Sequence, residues 1–171
     1  MPAPSTSRLL GWVGIAVVVA ISAVVWVYAF VLADPEPTDK LASPAFATEA
    51  KPICARAVKQ LDDAGLQLKK AATPLERADL VKQADDILKT MVDGLKPIAP
   101  TTGDDARLIT AWLGDWRTWF SDRAKWEATL REGKGSAFFE TQRETGEPNS
   151  TALTKLAVSN DIPDCGIPYG V

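Results

Sequence analysis

The sequence predicts an all-α protein with one N-terminal transmembrane helix followed by a small, disulfide-closed helical bundle of about four helices. Three observations predict this architecture. A 25-residue segment near the N-terminus carries no charge, the apolar residues that follow it recur at helical spacing, and two cysteines bracket that helical region. No apolar run with a period of two is bounded by turn residues, so the sequence predicts no strand.

The uncharged segment is Leu9–Ala33, preceded by a short tail of residues 1–8. At about 1.5 Å per residue, a helix of this length spans roughly 38 Å and can cross a hydrocarbon core of about 30 Å. Trp12, Trp26 and Tyr28 lie toward its ends, as is typical of side chains at membrane interfaces. The alternative is a cleaved secretory signal, but the apolar region of such signals is only about 7–15 residues long. We therefore interpret residues 9–33 as a retained, single-pass signal anchor.

The predicted topology places residues 1–8 in the cytoplasm and the helical domain outside it. The charge bias across the segment is small, because Lys40 and Lys51 also lie within about 18 residues of its C-terminal end. The shortness of the N-terminal tail and the single pair of cysteines add weight to this orientation. Residues 34–45 contain three prolines and mixed charge, which is typical of an extended linker. Residues 46–171 form the predicted extracytoplasmic α-helical domain.

Four helices are predicted in this domain. The first runs to Ala64 and starts at Pro52 or, alternatively, at Phe46. The second follows Thr73-Pro74-Leu75-Glu76, which combines an N-cap threonine, a proline at the first helical position and a glutamate three residues after the cap. Its apolar face is predicted to comprise Leu80, Ala84, Ile87, Leu88, Met91 and Leu95. The third and fourth helices are predicted at about 102–131 and 150–159.

The third helix carries an aromatic stripe at heptad spacing. Its members are Ile109, Trp112, Trp116, Trp119, Arg123, Trp126 and Leu130. Each tryptophan can bury about 150–250 Å², so we interpret the stripe as the core of the bundle. The alternative is a groove for a lipid, a glycan or a partner helix, lined by the four tryptophans and Arg123. Arg123 is placed to stack between Trp119 and Trp126, and if buried it needs a carboxylate from another helix.

Composition excludes several classes of function. The 171 residues include no histidine, which removes histidine-ligated metals and catalysis by Ser-His-Asp or Cys-His groups. The formal net charge of −3 argues against a nucleic-acid-binding surface. No glycine-rich phosphate loop is present. The sequence therefore predicts no metal, no cofactor and no nucleic-acid partner.

Asp115 and Asp122 are the candidate acid–base groups, because they lie one heptad apart and share a face of the third helix. An enzyme would bring them together in a pocket with shifted pKa values. A binding protein would leave them exposed or pair them with basic side chains. Asp85 and Asp86 are interpreted as an ordinary exposed pair.

Cys54 lies near the start of the helical domain and Cys165 near its end. In a domain outside the cytoplasm, two such cysteines are best interpreted as one disulfide. The alternative is two free thiols in a cytosolic domain.

Four short segments carry a resemblance over the whole chain: Pro-Ile-Cys-Ala at 52–55, Thr-Pro-Leu-Glu-Arg-Ala at 73–78, Trp-Leu-Gly-Asp-Trp at 112–116 and Pro-Asp-Cys at 163–165. With the anchor and spacer, they resemble a group of single-pass, membrane-anchored actinobacterial proteins that have a two-cysteine helical extracytoplasmic domain. The resemblance implies a location in the cell envelope and no particular activity.

Together these features predict a membrane-anchored, extracytoplasmic helical binding or accessory protein of the cell envelope rather than an enzyme. Its predicted partners are the lipid bilayer, through residues 9–33, and an envelope protein, lipid or glycan. One alternative is an envelope enzyme that uses Asp115 and Asp122. The other is a small accessory subunit of a membrane protein complex.

Overall fold

The computed structural model describes residues 6–27, 39–66 and 68–170, and in these ranges the protein is helical. Its five α-helices are α1 (Thr6–Val27), α2 (Ala45–Asp63), α3 (Pro74–Leu95), α4 (Gly103–Arg131) and α5 (Asn149–Ser159). The described residues contain no β-strand, only an isolated antiparallel bridge between Gln142 and Pro148. The predicted all-α class is therefore confirmed. The chain divides into two compact units, residues 1–38 and residues 39–171.

The first unit contains α1, whose 22 residues correspond to a length of about 33 Å. Its described large apolar side chains are exposed, with Val24 at 69% and Val18 at 63%. Among the helices of the described residues, none combines the length and the apolar character that a membrane crossing requires. Residues 28–33 of the predicted anchor, including the interfacial Tyr28, lie outside the described part of the chain.

The second unit is a bundle of α2 to α5. Helix α3 packs between α2 and α4, and α5 packs on α4. The stripe of α4 contributes Ile109, Trp112, Trp116 and Trp119 to the main core, against Leu88, Met91 and Leu95 of α3. A smaller cluster of Leu68, Ala78, Val81 and Leu130 closes the far end of the α3–α4 contact. The predicted four helices of the domain are therefore present.

Two helix starts illustrate how local sequence determines the elements. Thr73 and Glu76 form the predicted capping box, in which Glu76 N–H donates to Thr73 Oγ1 (3.2 Å) and Thr73 N–H donates to a Glu76 carboxylate oxygen (3.2 Å). Helix α2 uses the earlier of its two predicted starts and continues through Pro52, because Phe46, Ala47 and Ala50 are buried upstream of it. Pro52 itself lies on the exposed side of the helix, where its ring meets solvent.

The last residues of the predicted linker are attached to the bundle. Leu41 is buried, and its N–H donates to Asn160 Oδ1 at 2.8 Å. Asn160 Nδ2 in turn donates to the carbonyl of Asp39, also at 2.8 Å. The N–H groups of Ala42 and Ser43 donate to the Asp105 carboxylate near the start of α4. The helical unit therefore includes residues 39–44, and of the predicted linker only the part before Asp39 lies outside it.

Candidate functional site

Cys54 and Cys165 form the predicted disulfide. Cys54 lies on α2, Cys165 closes a short 3-10 turn at Pro163–Cys165, and their Cα atoms are 5.0 Å apart. This distance lies inside the range of about 4.4–6.8 Å that a disulfide needs. Both residues are fully buried. The bond therefore attaches the C-terminal segment to the first helix of the bundle across 111 residues of sequence.

Residues 163–170, which include Cys165, are called the tail. Its backbone is held at two further points: Ile167 N–H donates to Thr154 Oγ1 on α5 at 3.4 Å, and Leu68 N–H donates to the Gly170 carbonyl at 3.3 Å. At Gly166 the tail approaches α5 so closely that a Cβ would lie 3.1 Å from the Cα of Thr154. Only glycine fits this approach without displacement of the backbone.

The tail forms one wall of a cavity of about 500 Å³, which we call the tail cleft. The facing wall is the C-terminal half of α2 and the turn after it, with Val58, Leu61, Asp62 and Leu66. Tyr169 stands at the edge of the tail cleft with 95% of its surface exposed. The Nζ of Lys69 lies 5.4 Å from the centre of the Tyr169 ring, within reach of a cation–π contact. A second, more open depression on the α5 side shares Ile167, Pro168 and Tyr169.

The aromatic stripe of α4 is mainly core. Trp112, Trp116 and Trp119 are each at most 2% exposed, and they meet edge to face, with centroid distances of 6.2 Å between the first two and 5.5 Å between the last two. The indole N–H of Trp112 donates to the Leu153 carbonyl of α5 at 3.1 Å. Trp126 is half-buried, and its indole N–H donates to the Ser136 carbonyl at 2.9 Å. These placements favour the core interpretation over the groove, because three of the four indoles have no accessible face.

Arg123 is buried in the same stripe, with 1% of its surface exposed. Its guanidinium lies 4.8 Å from the ring centre of Trp119 and 5.7 Å from that of Trp126, as the spacing predicts. Its Nε donates to Asp85 Oδ1 on α3 at 2.9 Å. The expected carboxylate from another helix is therefore Asp85. Burial of Asp85 outweighs the attraction of Arg123 and raises the pKa of the carboxyl above its ordinary value.

The prediction that Asp85 and Asp86 form an exposed pair is wrong for Asp85. Asp85 is 2% exposed, whereas Asp86 is exposed and pairs with Lys82. The signal was present in the sequence: Asp85 is in helical phase with Ala78, Val81, Leu88 and Val92, all of which are buried. Of the six residues predicted for the apolar face of α3, Ala84, Leu88, Met91 and Leu95 are buried. The other two, Leu80 and Ile87, are only half-buried.

Asp115 and Asp122 bind the loop between α4 and α5, residues 132–148. Asp115 accepts hydrogen bonds from Nε and Nη2 of Arg143 in a two-point ion pair. Asp122 is buried and accepts the Thr141 N–H at 2.7 Å and Lys125 Nζ at 3.1 Å. Desolvation alone would raise the pKa of Asp122, but the hydrogen bonds from Thr141 and Lys125 outweigh it and hold the pKa below its ordinary value.

Each of the two carboxylates is thus occupied by a partner in the loop or on its own helix. Phe138 adds to this attachment, because its ring lies 6.3 Å from that of Trp119 and 5.3 Å from that of Trp126. Asp115 is paired with the basic side chain of Arg143, and Asp122 with that of Lys125 and with the Thr141 N–H. Within residues 6–27, 39–66 and 68–170, no group of three or more acidic, cysteine or histidine residues is arranged to hold a metal ion.

Comparison of the chain with protein-family models, with curated proteins and with solved structures gave no match. Function is therefore inferred from the geometry of the tail cleft and of the elements that hold it.

Proposed function

We propose that this protein is a membrane-anchored, extracytoplasmic binding protein of the cell envelope that contacts a protein partner through the tail cleft. The observation that carries the proposal is the buried Cys54–Cys165 disulfide, which fixes the tail against α2 and so shapes the cleft. The resemblance to anchored actinobacterial proteins agrees with this location and stays a prediction.

The proposed anchor is the 25-residue segment 9–33, which extends six residues beyond the described helix α1. Its support comes from the sequence: the segment contains no charged residue and no proline over a length that matches a bilayer core. The exposed apolar side chains of α1, such as Val24 and Ile21, would face lipid in this arrangement.

The disulfide supports a location outside the cytoplasm. Structural disulfides persist in oxidising compartments and are rare where thiols are kept reduced. The Cα atoms of Cys54 and Cys165 are 5.0 Å apart, and both residues are buried.

The structural contacts of the buried and half-buried aspartates favour a binding role over catalysis. Asp115 and Asp122, the candidate catalytic pair, are engaged in holding the 132–148 loop, and Asp85 neutralises Arg123. By contrast, the tail cleft combines a concave surface with a nearly fully exposed tyrosine. Tyrosine is enriched among the residues that dominate binding energy at protein interfaces.

A photo-crosslinking amino acid at position 169 of the full chain in intact cells tests this proposal. We expect a discrete protein adduct from position 169. Position 83 is the matched control, because Gln83 is exposed on α3 and does not line the tail cleft. No adduct at 169, or the same adducts at 169 and 83, would contradict a partner at the cleft. A lipid or glycan adduct at 169 would contradict the proposal that the partner is a protein, but it would support a binding role for the tail cleft.

A further inference from the structure

The two walls of the tail cleft each carry a carboxylate. Asp62 lies on the α2 wall and Asp164 on the tail, and both residues are exposed. Of the described residues that line the cleft, these two are the charged ones, and none is a lysine or an arginine. A partner that enters the cleft therefore meets negative charge on both walls.

Neither carboxylate has a partner among the described residues. The side chains of Asp62 and Asp164 take part in no hydrogen bond and no ion pair there. The neighbouring Asp63 differs, because Lys59 binds it with an Nζ–Oδ2 distance of 2.6 Å. Other exposed aspartates, such as Asp86, also have a basic partner. The carboxylates of the cleft are thus available to a cation from another molecule.

The aromatic edge of the cleft also suits a cation. The face of a tyrosine ring attracts lysine and arginine side chains, and Lys69 already lies over the ring of Tyr169. Lys69 forms no ion pair with Asp62 or Asp164 in the described part of the chain, so it does not neutralise them. Because 95% of the Tyr169 surface is exposed, the residue remains accessible to a group from a partner.

The rest of the cleft is mainly apolar. Leu61 and Leu66 are buried, and Val58 and Ile167 are half-buried. Lysine and arginine combine an apolar stem with a charged head, so the stem can pack on such side chains while the head reaches a carboxylate. The volume of about 500 Å³ lies within the range of roughly 300–1,000 Å³ that is typical of ligand pockets.

We propose that the occupant of the tail cleft is a basic segment of the partner protein, which directs lysine or arginine side chains to Asp62 and Asp164. This inference rests on the proposed function and goes beyond it by assigning the charge of the partner. An acidic segment would bring like charges together, which is costly at an interface. An uncharged segment would remove two carboxylates from water without giving them a partner.

Photo-crosslinking from position 169 of the full chain in intact cells, combined with neutral variants, tests the charge of the occupant. We expect Asp62→Asn with Asp164→Asn to reduce the yield of the protein adduct by about 2- to 30-fold, the effect of losing two exposed ion pairs. The matched control is Asp63→Asn with Asp161→Asn, which neutralises two exposed aspartates that do not line the cleft. The control should leave the adduct yield unchanged.

Mass spectrometry of the adduct then identifies the partner segment. Cleavage at acidic residues is used, because trypsin would cut at the lysines and arginines in question. We expect a lysine or arginine within about three residues of the cross-linked position, since an extended chain covers roughly 10 Å over that distance.

Peptide mapping of the native Cys54–Cys165 bond, together with far-UV circular dichroism, confirms that each variant is folded. An unchanged adduct yield in Asp62→Asn with Asp164→Asn, or a partner segment without lysine or arginine, would overturn this inference and leave the proposed function intact. An equal fall in the control would also overturn it, because the net charge of the unit would then account for the effect. No adduct at position 169 in the wild-type background would overturn the proposed function and this inference together.

Discussion

Arg123 is a full positive charge held in the core of a small bundle. Removing a cation from water is costly unless a carboxylate and further contacts compensate. Here the compensation is one hydrogen bond to Asp85 and two indole faces, from Trp119 and Trp126. Nη2 of Arg123 is buried and has no protein partner among the described residues. The pair is therefore costly to break and adds little to stability when intact.

Removing only the acidic partner should be more damaging than replacing both members. We expect Asp85→Ala to lower the free energy of unfolding by about 3–5 kcal/mol, because it leaves the guanidinium buried and unpaired. The double variant Asp85→Leu with Arg123→Met should unfold at nearly the wild-type free energy, or higher. Urea denaturation measures both, and Asp86→Ala on the exposed face is the control. A double variant as unstable as Asp85→Ala would contradict this account of the pair.

Helix α4 is the element that organises the domain, because its two sides perform different tasks. One side carries the aromatic core, and the other uses Asp115 and Asp122 to hold the loop that leads to α5. The loop is long and has little regular structure, so without these contacts its order would carry a large entropic cost. Because Asp115 and Asp122 are seven residues apart, they lie on the same side of α4, and both contact the loop there.

The attachment of Asp122 should weaken in acid. The pKa of Asp122 in the folded protein lies below its ordinary value of 3.8, so the stabilisation is present above that value and is lost as the pH falls through the folded pKa. We expect Asp122→Asn to be less stable than wild type by about 1–3 kcal/mol at pH 7, the range for losing a buried charged hydrogen-bond acceptor. The difference should begin to shrink below about pH 4, where the Asp122 carboxyl of the unfolded chain takes up a proton, and should be lost once the pH has fallen through the lower pKa of the folded state.

Denaturation from pH 7 to pH 2 measures this difference. The contribution of Asp85 to the pH dependence of stability has the opposite sign. Its raised pKa makes the native state bind a proton more readily than the unfolded chain does. Its contribution is common to both proteins and cancels in the comparison. A difference that stays constant down to pH 2 would show that Asp122 does not act through its charge.

How far the elements follow from sequence depends on the range of the interactions. The capping box at Thr73 is a local motif, and the core role of Trp112, Trp116 and Trp119 follows from helical periodicity alone. The sequence predicts that Arg123 pairs with a carboxylate from another helix, but it does not identify Asp85. That choice depends on the register between α3 and α4, which is set by packing. The path of the loop at residues 132–148 has no signal of its own in the sequence, since its order comes from contacts with α4 and α5.

At the scale of the whole molecule, the disulfide ties the two ends of the helical unit together. The pairing of Cys54 with Cys165 follows from there being only two cysteines, whereas the tail cleft that it creates does not follow from the sequence. That cleft depends on how Pro163–Gly170 folds back onto α2 and on the close approach at Gly166. Contacts between segments so far apart in the sequence are not predicted by helical periodicity or by local motifs.

Removing the disulfide should therefore act on the tail first. We expect Cys54→Ala with Cys165→Ala to lower the free energy of unfolding by about 2–5 kcal/mol, because a long loop in the unfolded chain is released. Limited proteolysis should cleave within residues 163–170 before any site in α3 or α4, while far-UV circular dichroism shows nearly unchanged helix content. Simultaneous loss of helix and tail would mean that the bond is needed for the bundle to fold.

Labelling of single added cysteines in intact cells tests the proposal that a retained anchor holds the helical unit outside the cytoplasm. An impermeant maleimide is applied to two variants of the full chain, Gln83→Cys in the exposed face of α3 and Ser5→Cys in the N-terminal tail. We expect Gln83→Cys to be labelled in intact cells. Ser5→Cys should be labelled only after permeabilisation and should still be present in the mature chain. Protection of Gln83→Cys in intact cells, or a mature chain that lacks residue 5, would contradict the proposal.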